Sequence, residues 1–348
     1  MNLLEKIKIL RCIKQIFKIL EEPSFYPNDK RKNYLTRLFD QFTWGLKYHS
    51  INENYNFYGM DIKGSRQDFL DLKIFNKTRD KMIGVRDNEK EYNHTVLVTN
   101  KYVFYHYLNS LNIPTPNCLA VNIHGNMMFL NGVTKESDIF NGKNVFAKIL
   151  ECDKGFGVKC LESYDDFKKL KQLWKNENYL LQEAIEQHEE LSRLYDKSIN
   201  TIRIVTVYYN NDAHFFSSAF RCGSKISGVV DNISQGGFCI GINEDGTLKS
   251  PAFNEQRYGG PTSEIHPDSG TVFGEIKIPF YKEAIDITCE LHRHLYGMGA
   301  LGWDVAITPN GPIIIEGNEY WYGALNIKFD EDFKEKWMQL CKVNNITV

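Results

Sequence analysis

The sequence predicts an α+β protein: two αβ lobes behind a mainly helical N-terminal region, with a ligand held between the lobes. Three observations predict it. Short β-branched and apolar runs at 145–150, 158–161 and 179–185 are interrupted by a helix-periodic stretch. A longer hairpin follows at 201–222, turning on Asn210-Asn211-Asp212. A second hairpin at 302–318 carries acidic and amide groups where strands are normally apolar.

Residues 1–20 set Leu3, Leu4, Ile7, Leu10, Ile13, Ile16, Phe17 and Leu20 at helical spacing. Lys6, Lys8, Arg11, Lys14 and Lys18 take the remaining faces. Such a helix is expected to pack on its own domain; the alternative is peripheral contact with an anionic membrane surface through residues 1–20. The rest of the stretch to about 95 reads as helical and irregular, broken at Glu22-Pro23-Ser24 and Tyr26-Pro27-Asn28-Asp29. Residues 100–109 read as a helix, ended by the extended segment Asn112-Ile113-Pro114-Thr115-Pro116. Residues 163–176 form a helix with Phe167, Leu170 and Trp174 at core spacing, and 238–242 a strand. Residues 280–296 form a helix striped by Ala284, Ile287, Leu291 and Leu295 and stopped by Gly297. The expected organisation is a helical region 1–95, a small lobe 96–186 and a large lobe 187–348.

The chain has 348 residues, 25% charged, with a net charge of -2. No global basic field points to nucleic acid. Eight cysteines form no CxxC pair, which fits reduced thiols in the cytoplasm. No apolar run approaches a membrane span and no signal peptide with a cleavage site appears.

The chemistry concentrates in the last hairpin. Pro309-Asn310-Gly311 supplies its turn. Strand alternation points Glu316 and Asn318 the same way, and Asp304 can lie opposite them across the hairpin. Three hard oxygen donors suit Mg²⁺, which favours carboxylates plus substrate phosphates. The competing reading is a hairpin whose acids face water; the apolar flanks Trp303, Val305, Ile313, Ile314 and Ile315 argue against it. Lys148 sits inside the apolar run Val145-Phe146-Ala147-Lys148-Ile149-Leu150 and needs an anion. The glycine turn Lys154-Gly155-Phe156-Gly157 follows, where bare backbone amides can approach phosphate oxygens. Gln182-Glu183-Ala184-Ile185 ends the next strand and can offer backbone groups to an adenine edge. Arg203 and Arg221 alternate with apolar neighbours; they either clamp phosphoryl or carboxylate oxygens or pair with the hairpin acids. Asp231-Asn232-Ile233-Ser234-Gln235-Gly236-Gly237 is a polar, glycine-paired loop, by default plain but suited to an acceptor. No GxSxG, Cys/His or Walker pattern is present, and His292 and His294 read as structural or solvated.

Together these pieces resemble the ATP-grasp superfamily and, more narrowly, its sugar-transfer-associated proteins, relatives of the ribosomal-protein glutamate ligases. The resemblance spans about 101–325. It rests on Asn200-Thr201-Ile202-Arg203, Val230-Asp231-Asn232 with Gly236-Gly237, and Gly302-Trp303-Asp304 with Glu316-Gly317-Asn318. Gln187-His188 and His266-Pro267-Asp268-Ser269-Gly270 match the narrower family. The resemblance implies the ATP-grasp fold, with two lobes clasping ATP. It implies that Lys101 and Lys148 hold ATP phosphates, Gly155 and Gly157 belong to a mobile covering loop, and Gln182, Glu183 and Ile185 form the adenine hinge. Asp304, Glu316 and Asn318 would ligate Mg²⁺, one ion or two. Arg203, Arg221 and Asn232, with Gly236 and Gly237, would surround the γ-phosphate and the acceptor carboxylate. The phosphate loop is shorter and poorer in glycine than the family's usual one.

The expected activity is an ADP-forming carboxylate–amine ligase working through an acyl phosphate. Its expected substrates are a small-molecule or saccharide carboxylate and an amine, in bacterial surface polysaccharide (capsule or lipopolysaccharide) assembly. The expected location is the cytoplasm, including the inner face of the membrane. A kinase of a sugar or small-molecule hydroxyl, or a non-catalytic nucleotide-binding partner of a glycosyltransferase, are the alternatives.

Overall fold

The computed structural model describes residues 3–90, 94–140, 142–150, 157–255 and 262–348, with side chains for all of these except 3–10 and 84–90. Its elements run, in chain order, α1 (Leu3–Glu21), α2 (Tyr34–Tyr48), α3 (Leu72–Lys90), α4 (Val96–Thr99), α5 (Lys101–Ser110), β1 (Cys118–Ile123), β2 (Asn126–Phe129), β3 (Val145–Ile149) and β4 (Val158–Leu161). Then come α6 (Tyr164–Leu173), β5 (Tyr179–Glu183), α7 (Glu189–Ser192), β6 (Thr201–Tyr209), β7 (Asp212–Cys222), β8 (Phe238–Ile240), α8 (Tyr281–Arg293), β9 (Ala300–Thr308), β10 (Gly311–Asn318), α9 (Ala324–Phe329) and α10 (Phe333–Val343). Helices segregate from two antiparallel sheets, which is the expected α+β class.

The small sheet has the order β2-β1-β5-β3-β4 and the large sheet β10-β9-β6-β7-β8. In the small lobe α6 starts at Ser163, whose hydroxyl accepts the Asp166 N–H at 3.2 Å. It buries Phe167 and Leu170 with Trp174 against Val145, Ala147 and Leu161. Strand β5 stops at Glu183 rather than Ile185, although the Ala184 N–H still follows the β3 register to the Asn144 carbonyl at 3.0 Å.

In the large lobe β9 is buried along its whole length. Its alternation sends Leu301, Trp303, Val305 and Ile307 into one core with Ile202, Ile204, Ala284 and Leu291. Small residues and one acid (Ala300, Gly302, Asp304, Ala306) occupy the opposite face. A Cβ on Gly302 would come within 2.7 Å of the Trp321 side chain, so only glycine admits that ring. A second core joins Trp44, Tyr55, Tyr58, Phe69 and Phe75 of the N-terminal region to Val205, Val207, Trp321, Phe333 and Trp337. The lobes are tied by the Ile314 N–H to the Pro114 carbonyl (3.0 Å). Within the large lobe the His188 N–H, just past the connection from β5, donates to the Ile307 carbonyl (2.9 Å). The seven described cysteines are free thiols. Among the described residues no helix is long and apolar enough to cross a membrane.

Candidate nucleotide and metal site

The acidic hairpin forms as expected, with one refinement. Its ladder pairs Gly311 with Thr308 and Ile314 with Val305, then shifts, so that Glu316 rather than Ile315 faces Asp304. The extra residue is a β-bulge at Ile315. Without it the register would set an isoleucine against the aspartate. Asn318 pairs with Gly302, one alternation further along, and its amide nitrogen lies 3.5 Å from Glu316 Oε1. Thus Asp304, Glu316 and Asn318 converge, though only Glu316 sits directly opposite Asp304.

Cross-strand neighbours supply the cations. Arg203 on β6 pairs with Asp304 in the ladder and donates from Nε to Oδ1 at 2.6 Å and from Nη2 to Oδ2 at 3.1 Å. Arg221 on β7 reaches Asp304 Oδ2 from Nη2 at 2.6 Å. It also lies 3.6 Å from Asp231 and donates to the Thr201 hydroxyl at 2.8 and 3.0 Å. Asp231 accepts the Thr201 N–H at 3.0 Å and its hydroxyl at 2.5 Å. Of the two readings open for the arginines, the ion pair with the hairpin acid is the geometry found. Burial alone would lift the Asp304 carboxyl, but the two guanidiniums outweigh it and hold it well below the carboxylate range. Burial, then the charge of Asp304 and a hydrogen bond with it, push Glu316 up to about 7. The two acids therefore split into one firmly ionised and one that titrates near neutrality. Arg221 is held further up by Asp231, Asp304 and Glu316 despite its own burial.

The small lobe faces this cluster. A narrow cleft is lined by Lys101, Thr115, Lys148 and Gln182 from one side and Ile315 and Glu316 from the other. Although part of the Lys148 side chain stays accessible, its ammonium is desolvated and its pKa falls to about 8; Glu316 opposes that fall and Lys101 adds to it. Lys101 opens α5 with Nζ 3.5 Å from the Leu150 carbonyl, which brings a second cation to the same cleft. Gln182 points its side chain into the cleft and donates to the Pro116 carbonyl at 3.3 Å. The Glu183 N–H is engaged by the Asn117 carbonyl at 3.0 Å, so the hinge backbone is already partly committed. Ile185 follows β5 and is half-buried. Gly157 begins β4's approach, its carbonyl accepting the Ile149 N–H at 2.9 Å, whereas Gly155 lies outside the described residues.

The loop expected at the acceptor end sits beside Arg221. Asn232 caps a short 3-10 turn by accepting from Ser234, and Gly236 takes φ of 106°. A Cβ on Gly237 would stand 2.4 Å from the Asp231 carbonyl oxygen. The two glycines therefore let the loop fold tightly behind Asp231. Gln187 and His266, both singled out by the sequence, act as braces. Gln187 accepts the Asn200 N–H at 2.6 Å, and His266 is fully buried with Nε2 2.9 Å from the Gly223 carbonyl. His292 is likewise a core residue, 2.7 Å from Thr206 Oγ1. Three residues are named in the sequence motifs without the roles the structure gives them: Asp231 as the second anion on Arg221, Thr201 between them, and Thr115. The Thr115 hydroxyl is buried with no hydrogen-bond partner and lines the cleft. Its only signal was its place between Pro114 and Pro116.

The donor set fits a hard divalent ion. Two carboxylates gather with the Asn318 amide beside them, and a divalent ion would compete with the proton that the raised Glu316 carboxyl binds near neutrality. Asp304 Oδ2 is taken by both arginines, and Oδ1, which accepts once from Arg203, keeps one further lone pair.

Lys148 of the small antiparallel sheet and Lys101 of α5 face the carboxylate hairpin of the larger sheet across a cleft, the arrangement that the resemblance to the ATP-grasp proteins implies. Residues 170–336 match the model of the sugar-transfer associated ATP-grasp family. The resemblance read from the motifs is thereby borne out: over this segment, slightly under half of the chain, the sequence is similar to that family. Among solved structures, the D-alanyl-alanine synthetase A of Vibrio cholerae aligns at 12% identity over 72% of this chain and 66% of that one, with a TM-score of 0.44. The VanG D-Ala:D-Ser ligase of Enterococcus faecalis aligns at 12% identity over 72% and 63%, with a TM-score of 0.47. A RimK domain protein of the ATP-grasp type from Sphaerobacter thermophilus aligns at 15% identity over 69% of each chain, with a TM-score of 0.36. The first two alignments span slightly less than two thirds of those proteins' own length. No curated protein matches.

Proposed function

We propose that the protein is an ADP-forming carboxylate–amine ligase that uses ATP and Mg²⁺. The observation that carries this reading is the cleft itself. Lys101, Lys148, Thr115 and Gln182 face Glu316, which sits opposite Asp304, itself bound by Arg203 and Arg221. Polyphosphate has its cations on one wall and its metal donors on the other. Magnesium, held by Asp304, Glu316 and Asn318, would neutralise charge on the transferring phosphoryl group.

The chain's own groups do the rest. Lys148, with a pKa near 8, is cationic at neutral pH and becomes more so beside phosphate. Arg203 and Arg221, fixed by Asp304 and Asp231, hold guanidinium charge at the end of the cleft where an acceptor carboxylate would meet the γ-phosphate. The carboxylate oxygen attacks phosphorus and the bond to ADP breaks. The amine then attacks the acyl carbon, phosphate leaves, and the amine gives up its proton. Gly236 and Gly237 keep the loop beside Arg221 compact enough to border that acceptor.

The sugar-transfer association of the matched family supports a saccharide carboxylate and an amine in surface-polysaccharide assembly. The decisive assay follows ADP release from ATP and Mg²⁺ over a panel of uronic acids and amino acids, with hydroxylamine as trap. A hydroxamate dependent on one acid is the expected result. A stable phosphoester, with no amine dependence, would replace the ligase with a kinase. Tight nucleotide binding without turnover on any pair would favour a non-catalytic partner.

A further inference from the structure

Helix α2 is inside out. The side it turns toward the protein carries Arg37 and Gln41, both buried, with Trp44. Arg37 donates to the Leu20 carbonyl at 2.7 Å and Gln41 to the Asn52 carbonyl at 3.0 Å. The side it turns outward carries Leu35, Phe39, Phe42 and Leu46, spaced i, i+4, i+7, i+11, with exposures of 76%, 63%, 60% and 64%. Single exposed apolar residues are ordinary; a four-residue stripe on one helix face is not. The neighbouring helix extends it. Ile13 and Phe17 of α1, i and i+4, are 44% and 43% exposed, while Ile19 and Leu20 of the same helix are buried. The two helices enclose an open apolar groove floored by Ile16 and Leu38.

Charge then selects the occupant. Arg11, Lys14 and Lys18, at i, i+3 and i+7 of α1, are exposed beside Ile13 and Phe17, and Lys47 is exposed in the last turn of α2. Of the acids near this surface, Asp40 is held by Lys32 (2.6 Å) and Tyr55 (2.6 Å) and Glu53 by Gln15 (2.6 Å), while Glu21 and Glu22 follow Lys18 at the far end of α1. A second copy docked on the same stripe would bring this cationic row against its own image. An anionic bilayer neutralises the row while accepting the aromatic and aliphatic side chains at its interface. No described helix can span a bilayer, so the contact is peripheral.

We infer that the exposed apolar faces of α1 and α2, with the Arg11/Lys14/Lys18 row, form a docking surface for an anionic lipid membrane. The inference does not depend on the ligase reading. The test is co-flotation of the full chain with vesicles of phosphatidylcholine alone or with phosphatidylglycerol, at low and high salt. Flotation with the anionic vesicles only, weakened by salt, is expected. Phe39→Glu with Phe42→Glu should abolish it without lowering the melting temperature, because both rings are already in solvent. Lys14→Ala with Lys18→Ala should weaken it roughly 25-fold, about fivefold per cation. Failure of the wild-type chain to float would overturn the inference. So would equal flotation on neutral vesicles, or a dimer in solution that the phenylalanine variant dissociates without any vesicle binding.

Discussion

Glu316→Gln isolates the electrostatics of the hairpin from its packing. The wild-type carboxyl has an ordinary value of 4.5 and is pushed up to about 7 by burial and then by Asp304. At about 1.36 kcal/mol per unit this bounds the cost of ionising it in the fold at roughly 3 kcal/mol. Its partial exposure reduces the net effect to about 1–2 kcal/mol. The sign follows from the raised value. The contribution of the protonated acid to stability is fully present below 4.5 and is lost as pH rises through about 7. Gln keeps the shape and the hydrogen bond to Asp304 but never ionises. Without metal, in chelator, Glu316→Gln should melt a few degrees above wild type at pH 8 and together with it at pH 4.5. Adding Mg²⁺ and ATP should raise the melting point of the wild type only, since the variant has lost a metal donor. Differential scanning fluorimetry across this pH range gives both readings. A variant that melts below wild type at pH 8, or is stabilised equally by Mg²⁺ and ATP, would refute the assignment of Glu316 as a proton-holding metal ligand.

Other outcomes follow from the same geometry. Asp304→Ala leaves Arg203 and Arg221 facing each other in a buried site and should cost about 3–5 kcal/mol in urea unfolding; an unchanged midpoint would contradict the pairing. Lys148→Met should weaken ATP binding roughly 10- to 100-fold by calorimetry. Because the folded pKa of Lys148 is lowered to about 8, its cost is full below that pH and vanishes above its ordinary 10.5. Without nucleotide the variant should therefore be more stable than wild type at pH 7 but not at pH 10.5. Gly237→Ala drives a Cβ to 2.4 Å from a backbone carbonyl and should lose about 1–3 kcal/mol while displacing Asp231 from Arg221; wild-type stability and turnover together would show that the loop tolerates the change.

Much of this was legible in the chain because it is local. Alternation over 302–318 placed Glu316 and Asn318 on one face, and turn chemistry at Pro309-Asn310-Gly311 located the hairpin. Strands 145–149 and 158–161 were bounded closely because β-branched runs stop at glycine and polar residues. The family motifs gathered the rest into one class, and the match over 170–336 agrees.

Other features depend on separation in sequence or on which side of an element is covered. A bulge at Ile315 decides that an acid, not an isoleucine, meets Asp304, and no composition rule announces a single extra residue. Arg203 and Asp304 stand 101 residues apart and become partners only when β6 lies beside β9. Thr115 looks like a loop residue until the cleft closes over its hydroxyl. The pattern of α2 states that one face is apolar and one polar. Only the tertiary structure decides that the polar face goes in, because Arg37 and Gln41 find backbone carbonyls there, while nothing among the described residues covers Leu35, Phe39, Phe42 and Leu46.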